Sequence, residues 1–190
     1  EEMGLPVFPV QHHYAHILSC MAENEWTTKK KVIGVSFDGT GYGTDGTIWG
    51  GEILLADYDS FKRWGCIEPF AQTGGDASAK EGWRIAVSLL GKIYGKEIAL
   101  SLIETLGLCE SKLAKLQFTM EERGINTVKS TSAGRLFDAV SAILGIRKAS
   151  TFEGEASTSL QFAAEKWLDS QDEKIAGYED FVESGVCLLY

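Results

Sequence analysis

Apolar and polar positions divide the chain into a strand-forming first part and a helix-forming remainder. Val7 to Val10, beside Pro6 and Pro9, reads as the end of a strand. The chain then changes to Gln11-His12-His13-Tyr14-Ala15-His16-Ile17-Leu18-Ser19-Cys20-Met21-Ala22, where Ile17, Leu18 and Met21 predict a helix to about Asn24. Lys30 to Phe37, with Val32, Ile33, Val35 and Phe37 around Gly34, reads as a buried strand. A turn-rich stretch from Asp38 to Gly46 follows, then a second strand from Thr47 to Asp57, and the two strands predict a β-hairpin. Cys66 to Phe70 is read as a third strand of the same sheet.

From about Ala77 the period becomes helical. Trp83, Ala86, Val87, Leu90 and Ile93 share one helix face, Ile98, Leu102, Ile103 and Leu106 a second, and Leu113, Leu116 and Met120 a third. Ser132 to Leu144 predicts a fourth helix on Leu136, Val140, Ile143 and Leu144, stopped by Gly145, and Gly154 to Leu168 a fifth. Strands followed by helices imply an α/β fold in which a small sheet carries a helical layer. No repeat or linker interrupts it, so a single unit is expected, and the closing apolar run Gly185 to Tyr190 reads as a further strand of a longer fold.

Composition narrows the function classes. The 190 residues carry a net charge of −9, and the longest basic run is Lys29-Lys30-Lys31, so neither nucleic-acid binding nor attachment to an anionic membrane is expected. No apolar stretch approaches a membrane span, and Glu1 to Val7 lack the pattern of a secretory signal, which predicts a cytoplasmic protein. Cys20, Cys66, Cys109 and Cys187 are too far apart in sequence for a metal knuckle and read as reduced thiols. Ten of the 21 glycines fall between Gly34 and Gly75, mixed with Asp, Thr and Trp, a composition typical of a binding site.

Several residues could carry chemistry. His12 and His16 are one helical turn apart, so both imidazoles leave one face and can reach one metal ion. The competing reading is a pair of helix-start histidines that only hydrogen-bond. A metal would need a third ligand from elsewhere, a carboxylate by preference. Asp38-Gly39-Thr40-Gly41-Tyr42-Gly43-Thr44-Asp45-Gly46 can bring amides and hydroxyls onto phosphate, with Asp38 holding a cation or a water, or it can be an ordinary glycine-rich hairpin. Gly74, Gly75 and Asp76 stand before a helix, where they could meet an anion or a nucleoside hydroxyl, or Asp76 could cap the helix. Arg135 and Asp138, three apart, read as a helix-surface ion pair.

Taken in order, five phrases resemble one family. They are His12-His13-Tyr14-Ala15-His16, the stretch from Asp38 to Glu52, Gly74-Gly75-Asp76, the stretch from Thr131 to Ser141, and Phe152-Glu153-Gly154-Glu155-Ala156. They are similar to the C-terminal catalytic domain of the HypF carbamoyltransferases of NiFe-hydrogenase maturation, from about Val7 to Leu168. The resemblance implies a partial actin-like ATPase (ASKHA) fold: a sheet-rich lobe over residues 1–75, and a mainly helical part over 76–190. It implies His12 and His16 as metal ligands, iron or zinc before magnesium, completed by an aspartate past residue 190, and a catalytic group of His12, His16 and Asp38. Contacts to ATP or carbamoyl-adenylate would come from Asp38, Gly39, Thr40, Gly41, Gly43, Thr44, Asp45, Gly46, Gly74, Gly75, Asp76, Gly134 and Asp138, the last on the ribose. The full-length family would use carbamoyl phosphate and ATP and pass the carbamoyl group to the C-terminal cysteine of its partner HypE. An O-carbamoyltransferase with a small hydroxylated acceptor, or a relative of the tRNA threonylcarbamoyl transferases, would share these residues. Gly82 stands where many relatives carry proline, a change expected to alter the helix start alone.

Overall fold

The computed structural model describes residue 4 and residues 7–170, so the apolar run at 185–190 lies outside the described residues. Residues 7–10 form no strand; Val7, Phe8 and Val10 are exposed ahead of the first helix, contrary to the expected strand end. Helix α1 (His12–Glu23) opens where the Gln11 side chain accepts the Tyr14 amide, and it buries His13, Tyr14, Ile17 and Met21 against the sheet. Strand β1 (Val32–Tyr42) pairs antiparallel with β2 (Ile48–Ala56), which confirms the hairpin.

Two expectations about β1 are corrected. The strand is not buried on both sides, because Ile33, Val35 and Phe37 alternate onto an exposed face while Ser36 is buried. Nor does it end at Phe37. Pairing runs to Phe37↔Gly51 and resumes at Gly41↔Trp49, so β1 advances four residues where β2 advances two. The extra residues form a bulge at Asp38–Thr40, and the true turn shrinks to the segment closed by the Gly43 amide on the Thr47 carbonyl at 2.9 Å.

The third strand also differs from its expected range. Strand β3 (Phe61–Cys66) ends at Cys66 and pairs with β2, whereas β4 (Phe70–Thr73) begins at Phe70. Pro69, with no amide to donate, lies in the break between them. After α2 (Ala77–Lys80), α3 (Gly82–Tyr94), α4 (Lys96–Thr105) and α5 (Ser111–Arg123) comes a strand with no counterpart in the sequence reading, β5 (Thr127–Ser130). It pairs antiparallel with β4 and parallel with β2 at Ile48↔Ser130, giving a mixed sheet of order β1-β2-β5-β4 with β3 also on β2. Helices α6 (Ala133–Ile143) and α7 (Glu155–Asp169) complete the described chain, and α7 follows the expected fifth helix closely.

Two apolar clusters hold these layers. One, on Tyr14, Ile17, Met21, Trp49, Leu54 and Ala56, joins α1 to the hairpin. The other packs Ile85, Ala86, Val87 and Leu90 of α3 among Ile103, Phe118, Ala139 and Ala142; each large side chain fully removed from water there contributes ~1.5–3 kcal/mol. The helix faces are not always those the periodicity predicted. In α5 the buried positions are Ala114, Gln117 and Phe118, while Leu113 and Leu116 are exposed. Helix α6 buries the small residues Ala133, Ala139, Ser141 and Ala142 in place of Leu136 and Leu144, because α3 approaches so closely that a Cβ on Gly82 would lie 2.7 Å from the Asp138 carbonyl. Among the described residues no helix is long and apolar enough to cross a membrane.

Candidate functional site

Helical spacing brings His12 and His16 together as expected, their ring centroids 4.6 Å apart. The β1 bulge brings Asp38 to the same point. Its Oδ2 lies 2.6 Å from His12 Nε2 and 3.5 Å from His16 Nε2, and the two Nε2 atoms are 3.2 Å apart. One donor atom from each residue falls within 4.8 Å of the others. A carboxylate oxygen of Asp38 thus stands beside the two imidazoles, whereas the resemblance puts the aspartate of the metal site past residue 190. Two imidazoles and one carboxylate fit a divalent transition metal such as iron or zinc better than magnesium, which prefers oxygen donors. All three side chains remain accessible to solvent. Partial burial pushes the Asp38 carboxyl up, but the Gly39 amide and His12 together outweigh it and hold the group below the usual carboxylate value. Asp38 is thus ready as an anion.

His13 points the other way and is fully buried. The Gln11 amide nitrogen, which also donates to the Tyr42 carbonyl, lies 3.1 Å from His13 Nδ1. Burial lowers the His13 pKa, with Asp38 and Glu52 opposing, so the ring is neutral and serves to seat α1 on the hairpin.

The bulge is held from two sides. A Cβ on Gly50 of β2 would sit 2.5 Å from the Asp38 carbonyl, and one on Gly134 of α6 would sit 2.8 Å from Gly39 Cα. Only glycine permits that approach. Beneath the hairpin, fully buried Glu52 accepts from the Gly50 and Gly51 amides and from Arg63 Nε, at 3.2, 3.4 and 2.7 Å. Arg63 stacks over Trp49 at 4.2 Å and reaches Asp45.

From the triad a cleft of about 930 Å³ runs along the ends of β4 and β5. Of the residues expected at a nucleotide, Asp38, Gly39, Thr40, Gly75 and Asp76 line it, and so does His12 of the expected metal pair. Asp76 makes no side-chain cap bond to α2, so its carboxylate stays available to the cleft. The remaining expected residues lie elsewhere. A Cβ on Gly41 would meet the His13 ring and one on Gly43 the Trp49 ring, each at 2.3 Å, so both serve packing. Thr44, Asp45 and Gly46 belong to the hairpin turn, where Asp45 accepts from the Thr47 amide, the Thr47 hydroxyl and Trp49 Nε1. Gly74 donates to the Asn126 carbonyl behind the wall, and Gly134 packs on Gly39. Asp138 is buried, with its Oδ2 2.8 Å from Arg135 Nε, and it is Arg135 that reaches the cleft. Burial raises the Asp138 pKa and Arg135 opposes it. Sequence reading missed Gln72, Ser78, Lys80, Asn126 and Thr127 as lining residues, since only the β4–β5 pairing brings them there.

The mixed sheet thus carries a cleft at its edge, with a His/His/Asp donor set at the cleft mouth. Comparison with known proteins identifies the family. The family model described as "Carbamoyltransferase, Kae1-like Domain, second subdomain" matches residues 34–184, and "HypF Kae1-like domain" matches residues 1–23. The chain belongs to the carbamoyltransferase Kae1-like domain family. It is 41% identical over 164 residues to carbamoyltransferase HypF of Rhodobacter capsulatus, covering 85% of this chain and 21% of that protein. It is 39% identical over 168 residues to the probable carbamoyltransferase HypF of Methanocaldococcus jannaschii, covering 88% and 21%. A crystal structure of full-length HypF in the phosphate- and nucleotide-bound form superposes with a TM-score of 0.73 at 39% identity, over 82% of this chain and 20% of that one. HypF of T. kodakarensis gives 0.73 at 32% identity, over 87% and 22%. The chain spans about a fifth of the length of these relatives.

Proposed function

We propose that this chain forms the metal-and-nucleotide half of a carbamoyltransferase site, acting on carbamoyl-adenylate derived from carbamoyl phosphate and ATP. The observation that carries the reading is the convergence of His12, His16 and Asp38 at one end of a cleft with room for a nucleotide. When bound there, a divalent metal would supply Lewis-acid polarisation of a phosphate or carbamoyl oxygen.

The chain's own residues do the rest. Gly39 and Thr40 of the bulge line the cleft with His12 and Asp38, and in this reading the Thr40 hydroxyl and the bulge backbone orient the phosphate end of the ligand. Arg135 and Lys80 line the same wall and offset its charge. The acceptor is the C-terminal cysteine of HypE, whose thiolate attacks the carbamoyl carbon. The new C–S bond forms as the bond to the phosphate oxygen breaks, and AMP leaves with the electron pair. A reduced acceptor thiol places the reaction in the cytoplasm.

The test is a chimera in which this chain replaces the matching segment of the Rhodobacter capsulatus relative, assayed for bound metal and for carbamoyl transfer to a peptide ending in cysteine. His12→Ala and His16→Ala lower both together, and His13→Ala lowers them less. Full metal retention in the His12/His16 double variant would refute the ligand assignment. Transfer to a small alcohol in place of the thiol would refute the acceptor.

A further inference from the structure

Asp38 reaches the histidine pair only because the bulge holds one shape, and the groups that fix that shape lie on a different element. We propose that Ser132 is the positioning residue of this site: its hydroxyl sets the Asp38 carboxylate against His12 and His16, an inference that rests on the metal reading above.

Ser132 is fully buried at the N-cap of α6. Its Oγ lies 2.7 Å from the Gly39 carbonyl and 3.4 Å from the Asp38 carbonyl, and it accepts the Arg135 amide at 3.0 Å. A hydroxyl has one proton, and the shorter distance gives it to Gly39. Both peptide planes flanking Gly39 are thus within reach of one side chain. The Gly39 amide in turn donates to Asp38 Oδ1 at 2.6 Å, which leaves Oδ2 directed at the two imidazoles. The order of control runs from Ser132 Oγ to the Gly39 carbonyl, through the Gly39 Cα to the preceding peptide plane and its Gly39 amide, and so to the carboxylate.

A positioning group must itself be fixed. The Ser132 amide donates to Ser130 Oγ at 3.2 Å, and the neighbouring Thr131 amide donates to the Ile48 carbonyl at 2.9 Å. The Thr131 hydroxyl donates to buried Glu52. Ser132 is therefore tied to β2 and β5, the strands that carry the cleft wall, and the bulge inherits their rigidity. Simple capping of α6 would use only the Arg135 amide; the bonds to the bulge go beyond it.

The experiment separates those two roles in the full-length protein, with Co(II) alone as the probe. The measured quantity is the visible absorption increment that His12→Ala removes, titrated against Co(II), beside the thermal melt of the metal-free protein. Ser132→Ala is expected to weaken Co(II) binding by about 10-fold to 100-fold, the range for removing a group that orients a metal ligand. Ser132→Thr, which keeps a hydroxyl that donates and accepts, restores it. Ser88→Ala is the matched control: it removes a buried, hydrogen-bonded hydroxyl from α3, away from Ser132 and the bulge, lowers the melting temperature, and leaves Co(II) affinity near the wild-type value. Should Ser132→Ala not fold, Ser132→Gly replaces it, since glycine still caps a helix but offers no hydroxyl. Wild-type Co(II) affinity in Ser132→Ala or Ser132→Gly, or an equal loss in Ser88→Ala, overturns the inference and leaves the metal reading intact. Absence of any increment sensitive to His12→Ala in the wild type overturns the metal reading and the inference together.

Discussion

Asp38 and Asp45 stand seven residues apart in one glycine-rich stretch, and the fold gives them opposite tasks. Asp45 is engaged by its own fold: the Thr47 amide and hydroxyl and Trp49 Nε1 donate to Oδ1, and Arg63 Nη1 to Oδ2 at 3.0 Å. Asp38 has one backbone donor on Oδ1, while Oδ2 faces two imidazole nitrogens and an open cleft. A carboxylate whose four donors all come from its own fold organises structure; one that faces ring nitrogens beside a cavity is placed for a ligand. The two-residue bulge makes the difference, because it turns Asp38 toward α1 while the strand beyond it resumes pairing and closes the hairpin over Asp45.

The sharpest way to break that contrast is to remove each carboxylate in turn. Asp38→Ala is expected to lower metal affinity by at least about 100-fold, beyond the usual loss for a mere supporting group, with little change in unfolding midpoint. Asp45→Ala should do the reverse, lowering stability by ~1–3 kcal/mol through its orphaned donors while metal content holds. Metal analysis and urea melts on both variants decide it. Loss of metal in Asp45→Ala would show that the turn and the bulge are one functional unit and end the distinction.

A smaller effect is expected at Gly134, which touches the bulge backbone at Gly39 and the Asp38 carbonyl. Gly134→Ala sets a methyl 2.8 Å from Gly39 Cα, backbone that cannot swing aside, and overpacking of this kind costs ~1–3 kcal/mol. If the bulge shape governs Asp38, metal affinity falls with stability. A variant that loses stability but binds metal normally would mean that Asp38 finds the histidines whatever the bulge does.

Most of the architecture was legible where periodicity and chemistry agreed. The hairpin, α1 and the order of the later helices followed from spacing, and His12 and His16 from a single turn of helix. Strand β5 did not, because Thr127-Val128-Lys129-Ser130 is short and half polar, and only its two neighbours make it a strand. The small-residue face of α6 was obscured for a related reason: Leu136 and Leu144 dominate any apolar count, while close packing against α3 selects Ala139 and Ala142. In the site, the glycine-rich stretch was read as one phosphate loop. Nothing local in Gly41, Gly43 or Asp45 shows that His13, Trp49 and Arg63 will claim them; those partners come from α1, β2 and β3.

The weakest expected effect tests Asp45 by acid. The Thr47 hydroxyl first, then the Thr47 amide, Trp49 and Arg63, hold its carboxyl below the ordinary value of 3.8, against a smaller opposing effect of burial. The folded pKa is depressed, so its contribution to stability is fully present above the unfolded value and is lost as pH falls through the folded one. Thermal melts of wild type and Asp45→Asn should therefore differ by a constant amount at neutral and mildly acidic pH. That gap should narrow only at pH values below 3.8. The side chain is 44% exposed, so solvent screening keeps the whole effect small. A gap that stayed constant well below 3.8 would mean that the asparagine has lost a contact unrelated to charge, and the turn would then owe its shape to packing under Trp49 more than to the Asp45 carboxylate.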